Sequence, residues 1–197
     1  MGSGLTVALN AYPKTITTDE GKTIVFRPLT SDGARELYQF FLRLDEDERF
    51  RLKEDVTSPN VVWRWVGEID YEKAILLVAW EGKNIIAEGI IHRTRAFSRR
   101  HTGELSILID RDHKQQGIGT AMIKELIGIA RYLGIKRLYF SALADKEKDA
   151  ISAASQMGFH RIAILPSHNM DINGTYGDVV LMDLEVGLLD LPGSHPY

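Results

Sequence analysis

Leu105, Ile107 and Ile109 are apolar at every second position, the period of a half-buried strand. After a polar turn holding two glycines, Ile118, Met122, Leu126, Ile129 and Leu133 recur at helical spacing. That stripe predicts a long helix from Gly117 to Leu133, with Gly134 placed as its C-cap. Upstream, Thr23 to Pro28 reads as a first strand ended by its proline, and the preceding twenty-two residues as a polar, turn-rich extension or tag. Ser31 or Asp32 can cap a helix through Leu44, with Leu37, Phe40, Phe41 and Leu44 on one stripe. A short helical stretch follows near Phe50 to Lys53, and Pro59 can start a further turn carrying Val62, Trp63 and Val66.

Ala74 to Trp80 is a continuous apolar run, so it reads as a buried strand. The turn Glu81-Gly82-Lys83-Asn84 leads to a second hairpin strand, Ile85 to His92, and a basic connection joins that to Glu104–Ile109. Beyond the long helix come a strand over Lys136–Ser141, a helix over Lys146–Gln156 stopped at Gly158-Phe159, and strands over Arg161–Leu165 and Val179–Val186. The pattern predicts a mixed α/β domain over residues 23–186, its central sheet mostly antiparallel and flanked by helices, with a C-terminal tail over 187–197.

Composition narrows the class. The 197 residues suffice for one sizeable core, and 44% hydrophobic residues is ordinary for a globular chain. A formal net charge of -3 argues against nucleic acid as a partner, because such binding draws on a basic surface to displace counterions. The chain has no cysteine, which excludes disulfides, cysteine metal sites and a cysteine-bound acyl group. Six histidines without ligand spacing predict no metal. No apolar run approaches the ~20 residues that cross a membrane. Met1 to Asn10 lacks the charged start of a signal peptide, so the expectation is a cytoplasmic protein with no membrane partner. Met1-Gly2-Ser3-Gly4-Leu5-Thr6 matches a myristoylation pattern, a short match better read as a cloning scar or chance.

The chemistry concentrates at the turn between the Ile109 strand and the long helix. First-turn N–H groups lack intrahelical partners and carry the positive end of the helix dipole, and glycines let a pyrophosphate approach the bare backbone. Gly119-Thr120-Ala121 lacks the lysine of a Walker P-loop. Gln116-Gly117-Ile118-Gly119 supplies two glycines where a dinucleotide fingerprint needs three. The segment Gly103–Gly119 instead resembles the Arg/Gln-x-x-Gly-x-Gly/Ala turn of the GNAT superfamily of N-acetyltransferases, with Lys114 at the Arg/Gln position. The element order and the closing Gly158-Phe159 are similar to that family as well.

The resemblance implies an acetyl-CoA-dependent N-acetyltransferase with the GNAT-like fold. It implies that the backbone of Ile107 and Ile109 holds the pantetheine arm, and that Lys114, Gln115, Gln116, Gly117, Ile118, Gly119 and Thr120 cradle the pyrophosphate. A primary amine with pKa about 10.4 must lose a proton before it attacks, so a general base is required. Glu104, at the start of the central strand, is the candidate, its alternative being a carboxylate paired with Arg99 or Arg100. His92 and His101 are rival bases. The tyrosine that many members place four residues before Gly-Phe is Ala154 here, and an asparagine seven residues further back is Glu147. Ser152 and Ser155 are poor acids, which leaves water, Tyr139 or Tyr176 to protonate the leaving thiolate.

The acceptor reads as a protein lysine or a small amine. Asp45-Glu46-Asp47-Glu48, with Glu54 and Asp55, reads first as a solvated face and second as an attractor for a cationic amine. Phe40 to Leu44, Arg49-Phe50 and Asp70-Tyr71 resemble the GNAT domain of bacterial protein lysine acetyltransferases. Arg93, Arg95, Arg99 and Arg100 read as a solubilising loop, or as contacts for an acidic partner or the coenzyme's 3′-phosphate. Trp63, Trp65 and Trp80 read as core or cleft-wall aromatics. Dimers are frequent in the superfamily, so a homodimer is one expectation. The alternative to an enzyme is a non-catalytic acetyl-CoA-binding regulatory module.

Overall fold

Ile24 and Phe26 alternate into the interior of a strand at Thr23–Pro28, and both are fully buried. In the computed structural model, which describes residues 3–18, 20–94 and 96–187, this strand is the second of an eight-stranded sheet. In chain order the strands are β1 (Lys14–Thr17), β2 (Thr23–Pro28), β3 (Ala74–Glu81), β4 (Asn84–Arg93), β5 (Thr102–Ile109), β6 (Arg137–Leu143), β7 (His160–Met170) and β8 (Tyr176–Glu185). Their spatial order is β1-β2-β3-β4-β5-β6-β8-β7, and every pair is antiparallel except β5 with β6. The helices are α1 (Ser3–Asn10), α2 (Ala34–Arg43), α3 (Glu46–Phe50), α4 (Pro59–Gly67), α5 (Ile118–Tyr132) and α6 (Lys148–Gln156). The mixed, mostly antiparallel sheet flanked by helices is the α/β class expected from the pattern.

Strand alternation divides the core between two faces. Ile75, Leu77, Ile91 and Leu105 turn toward α5, where Met122, Leu126 and Ile129 meet them. Val78 and Ile85 turn toward Leu37, Phe40 and Phe41 of α2 and Val62 of α4. Gly89 lets α5 settle onto β4: a Cβ there would come within 2.7 Å of both Leu126 Cδ1 and Met122 Cγ. Gly134, at φ +68, closes α5, and Ile135 N donates to Ala130 O at 3.0 Å. Among the described residues no helix is long and apolar enough to cross a membrane.

The segment read as an extension folds onto the domain. α1 lies against α5 and buries Ala8, while β1 pairs with β2 and lengthens the sheet by one edge strand. Tyr12 donates to Glu125 at 2.8 Å, and Lys14 pairs with the same carboxylate at 2.7 Å. A four-residue strand of Lys, Thr, Ile and Thr is too short and too polar to register as alternation. The myristoylation match includes Met1 and Gly2, outside the described residues, as does the expected tail apart from Gly187.

The short helix after α2 starts earlier than the pattern suggested. α3 begins at Glu46, because Asp45 accepts from the backbone of Glu48 while the Glu48 side chain accepts from Asp45 N, a capping box. The acidic run is therefore the helix itself. Trp80 is buried, Trp65 packs partly under α2, and Trp63 is exposed on α4 beside Tyr38.

Candidate active site

β5 and β6 share only three rungs, Thr102 with Arg137, Gly103 with Leu138 and Glu104 with Tyr139. β4 follows β5 as far as Ile109 on the other side. Beyond Glu104 the two parallel strands diverge, and the β6-facing backbone edge from Leu105 to Ile109 has no strand partner among the described residues. A cleft of about 550 Å³ fills the gap, walled by Glu104–Ile109 and by Phe140–Leu143 and floored by Ala150 and Ala153 of α6.

The cleft runs from Glu104 to the turn before α5. Asp110 starts that turn and is almost wholly buried, accepting from Arg43 Nε at 2.5 Å and Asp112 N at 3.2 Å. Burial alone would raise its pKa, but those hydrogen bonds and the Arg43 and His113 charges hold it below the usual carboxylate value. Arg43 also reaches Ile85 O at 2.5 Å, so the C-terminus of α2 fixes where the turn begins. His113 Nε2 lies 3.1 Å from Glu81 Oε2, a second tie to the sheet.

Gln115 and Gly117 both have positive φ, +62 and +78, which curls the chain so that consecutive amides face one side. Gln115 donates to Asp149, which also lines the cleft, at 2.9 Å, and Gln116 donates to Asp112 O at 3.1 Å. Lys114, Gln115, Gly117, Gly119 and Thr120 border the cleft. Gln116 does not, and Ile118 is buried in the core behind α5, so these two offer the cleft at most their backbone. A free N–H arc, a lysine and an unpaired strand edge suit a ligand with a diphosphate at one end and an amide-bearing arm.

The acidic run is solvated at Asp45 and Glu46 and engaged at Asp47 and Glu48. Glu48 pairs with Lys114 at 2.9 Å, Asp47 pairs with Lys146 at 3.1 Å, and Lys146 also holds Asp171 at 3.1 Å. Arg51, just after α3, pairs with Glu147 at 3.0 Å, and Glu147 accepts from Leu143 N at 2.7 Å. α3 thus straps the mouth of the cleft from the phosphate-type turn to the start of α6. Asp47 and Glu48 are thus engaged by lysines that line the same cleft.

At the apex, four ionisable side chains stand in one transverse row. His92 faces Glu104 across β4 and β5, Glu104 faces Tyr139, and Tyr139 faces Asp183 of β8. Asp183 is committed to Arg137, whose Nε donates at 3.3 Å. Surrounding protein holds His92 below the ordinary histidine pKa, Glu104 opposing that shift and Lys53 adding to it. The Tyr139 phenol is raised, first by burial and then by the Glu104 charge, against a smaller effect of Arg99.

The sequence-predicted residues fall into two groups. Glu104, Ile107, Ile109, Lys114, Gln115, Gly117, Gly119 and Thr120 come together around one cleft. His92 joins them through Glu104, whereas His101 lies in the connection ahead of β5, its carbonyl tied to Lys136 N. Ala154 is fully buried on the core side of α6, Ser155 donates to Ile151 O, and Tyr176 is 68% exposed at the far end of β8. Arg95 lies outside the described residues. Arg43, Arg51 and Lys146 escaped the sequence reading as site-shaping residues, and that reading has Asp47 and Glu48 as a solvated face or an attractor for an amine rather than as partners of lysines. Their signal is a spacing of 66 to 99 residues between partners, which no local pattern carries.

Comparison with known proteins identifies the fold. The model of the acetyltransferase (GNAT) family matches residues 34–159. The acetyltransferase of GNAT family from Streptococcus pneumoniae superposes with a TM-score of 0.74 at 21% identity, over 83% of this chain and 99% of its own. The GNAT domain of S. lividans PAT gives 0.70 at 23%, over 87% and 96%. RimL, a ribosomal L7/L12 alpha-N-protein acetyltransferase in complex with coenzyme A, gives 0.73 at 17%, over 88% and 97%.

Proposed function

The chain belongs to the GNAT family of N-acetyltransferases, enzymes that use acetyl-CoA, and within that family we propose direct acetyl transfer to a primary amine with Glu104 as general base. The observation that carries this reading is the divergence of β5 from β6 immediately after Glu104, which leaves an open backbone edge leading to the N–H arc at Gly117–Thr120.

In this reading the β5 edge at Ile107 and Ile109 receives the amide groups of the pantetheine arm. The turn from Lys114 to Thr120, with the backbone of Gln116 and Ile118, receives the diphosphate. Acetyl-CoA supplies an acetyl group activated as a thioester. Glu104 takes the proton of the acceptor amine, directly or through one water, while the new N–C bond forms and the C–S bond breaks. The thiolate needs a proton in return, and its delivery is assigned to Tyr139, which is paired with Glu104 across β5 and β6. The chain has no cysteine to carry the acetyl group, which supports a single displacement over a relayed one.

The acceptor is a lysine of a protein or a small amine. The test is acetyl-labelled acetyl-CoA incubated with the protein and a cell extract, with macromolecules and metabolites separated by ultrafiltration. Label that enters either fraction, and fails to enter it with Glu104→Gln, is the expected result and assigns the acceptor class. Label in neither fraction, with acetyl-CoA still bound, favours the regulatory module instead.

A further inference from the structure

We propose that the acceptor carries an anionic group, in the simplest case a carboxylate, within one side-chain length of the amine, bound by Lys53 and Arg99 on either side of Glu104. The proposal rests on the acetyl transfer described above and names the acceptor chemistry that the site selects.

Charges around the apex are unequally committed. Several carboxylates that could attract a cationic acceptor are engaged, Glu48 by Lys114, Asp47 by Lys146 and Glu54 by Arg64 and the Trp65 indole, and Asp55 accepts from Thr57, while Glu46 stays exposed and Glu104 stands in the cleft. The exposed cations Lys53, Arg99 and Arg100, with the half-buried Arg93, have no carboxylate partner among the described residues. Lys53 directly follows Arg51 and Leu52, which line the cleft. Arg99 ends a short 3-10 turn over Phe97–Arg99, and its carbonyl accepts from Thr102 at the first residue of β5. Strand register sets Glu104 between His92 and Tyr139, and the Lys53 charge is felt at His92 and the Arg99 charge at Tyr139.

Distance decides what these cations can meet. β5 rises about 3.3 Å per residue, so Thr102 lies roughly 23 Å from Ile109 and the phosphate-type turn lies beyond that. An arginine ahead of β5 cannot span that length to a 3′-phosphate next to the diphosphate. Uncommitted positive charge at the opposite end of the strand from the cofactor phosphates belongs to the acceptor. The same charges disfavour the ammonium form of a bound amine, which is the form that cannot attack.

Two sources offer this chemistry: the α-carboxylate of an amino acid, and an acidic residue beside the target lysine of a polypeptide. The experiment uses the full chain, acetyl-CoA and matched acceptors: lysine peptides flanked by Asp, Asn or Lys, and amino acids against their carboxamides. We expect the anionic member of a series to exceed its neutral match roughly tenfold in kcat/KM, and less at high salt. The series that shows the preference identifies the source. Lys53→Glu combined with Arg99→Glu should reverse the order. Neutral or cationic members used equally well by the wild-type protein overturn the proposal without recourse to any variant. Binding of fluorescent forms of the same acceptors, measured with coenzyme A present, separates this proposal from the transfer reading. Selective binding of anionic acceptors without acetylation supports the charge assignment and contradicts transfer. Unselective binding overturns the charge assignment whether or not acetylation occurs.

Discussion

Glu104 and Tyr139 occupy the last rung that β5 and β6 share, side by side at the point where the two strands part. The carboxylate and the phenol face the same side of the sheet, away from α5, and the Glu104 charge acts on the phenol. A group able to take a proton and a group able to give one are thus held by backbone pairing alone, on the two strands whose separation makes the cleft.

Tyr139→Phe tests the second of these roles. Burial, reinforced by Glu104, keeps the phenol protonated around neutral pH, the state a general acid needs. Removing the hydroxyl should lower kcat by about ten- to a hundredfold and leave acetyl-CoA affinity within about twofold. An unchanged kcat assigns proton delivery to water.

Glu48→Gln tests the strap. Lys114 is held by Glu48 at 2.9 Å, and a diphosphate in the turn must compete with that carboxylate for the lysine. Half-exposed pairs of this kind are weak, so freeing Lys114 should tighten acetyl-CoA binding by about two- to fivefold, measured by titration at low salt. Weaker binding would mean that α3 holds the turn in its binding shape, and that this outweighs the competition.

Glu88 predicts how stability depends on pH. It lies on β4 between Val78 and Leu108 on the same face as Glu104, is buried, and has one carboxylate oxygen without a partner. Burial raises its pKa from 4.5 to about 8. Below the lower value the group is protonated in both folded and unfolded chains and costs nothing. As pH rises toward 8 the unfolded chain ionises while the folded one must stay neutral, so stability falls, by at most roughly 1.4 kcal/mol per pH unit, and then levels off. Glu88→Gln should remove this loss, on the order of a few kcal/mol, in urea unfolding compared at pH 5 and pH 8. An equal loss in the variant would place the titrating group elsewhere.

The legible parts of this chain are local. The alternation of Leu105, Ile107 and Ile109, the glycines of the turn and the stripe of α5 lie within about thirty residues, and each follows from its own neighbours. The missed parts depend on partners far away. α1 shows its place only where Ala8 meets the core and Tyr12 meets Glu125, 113 residues on. Asp47 and Glu48 could not be told from the exposed Asp45 and Glu46 because their partners, Lys146 and Lys114, come from the other wall of the cleft. The row His92–Glu104–Tyr139 needs the strand register, which alternation within one strand cannot supply.

In the proposed transfer Glu104 takes the proton of an amine at the end of the cleft. The most direct measurement is steady-state acetyl transfer by Glu104→Gln at pH 7 and pH 9, with acetyl-CoA affinity determined by titration on the same samples. Proton removal by Glu104 predicts a kcat about a hundredfold or more below wild type at pH 7, partial recovery at pH 9 where more of the amine is already neutral, and unchanged acetyl-CoA affinity. Equal rates for the two proteins at pH 7 would contradict it.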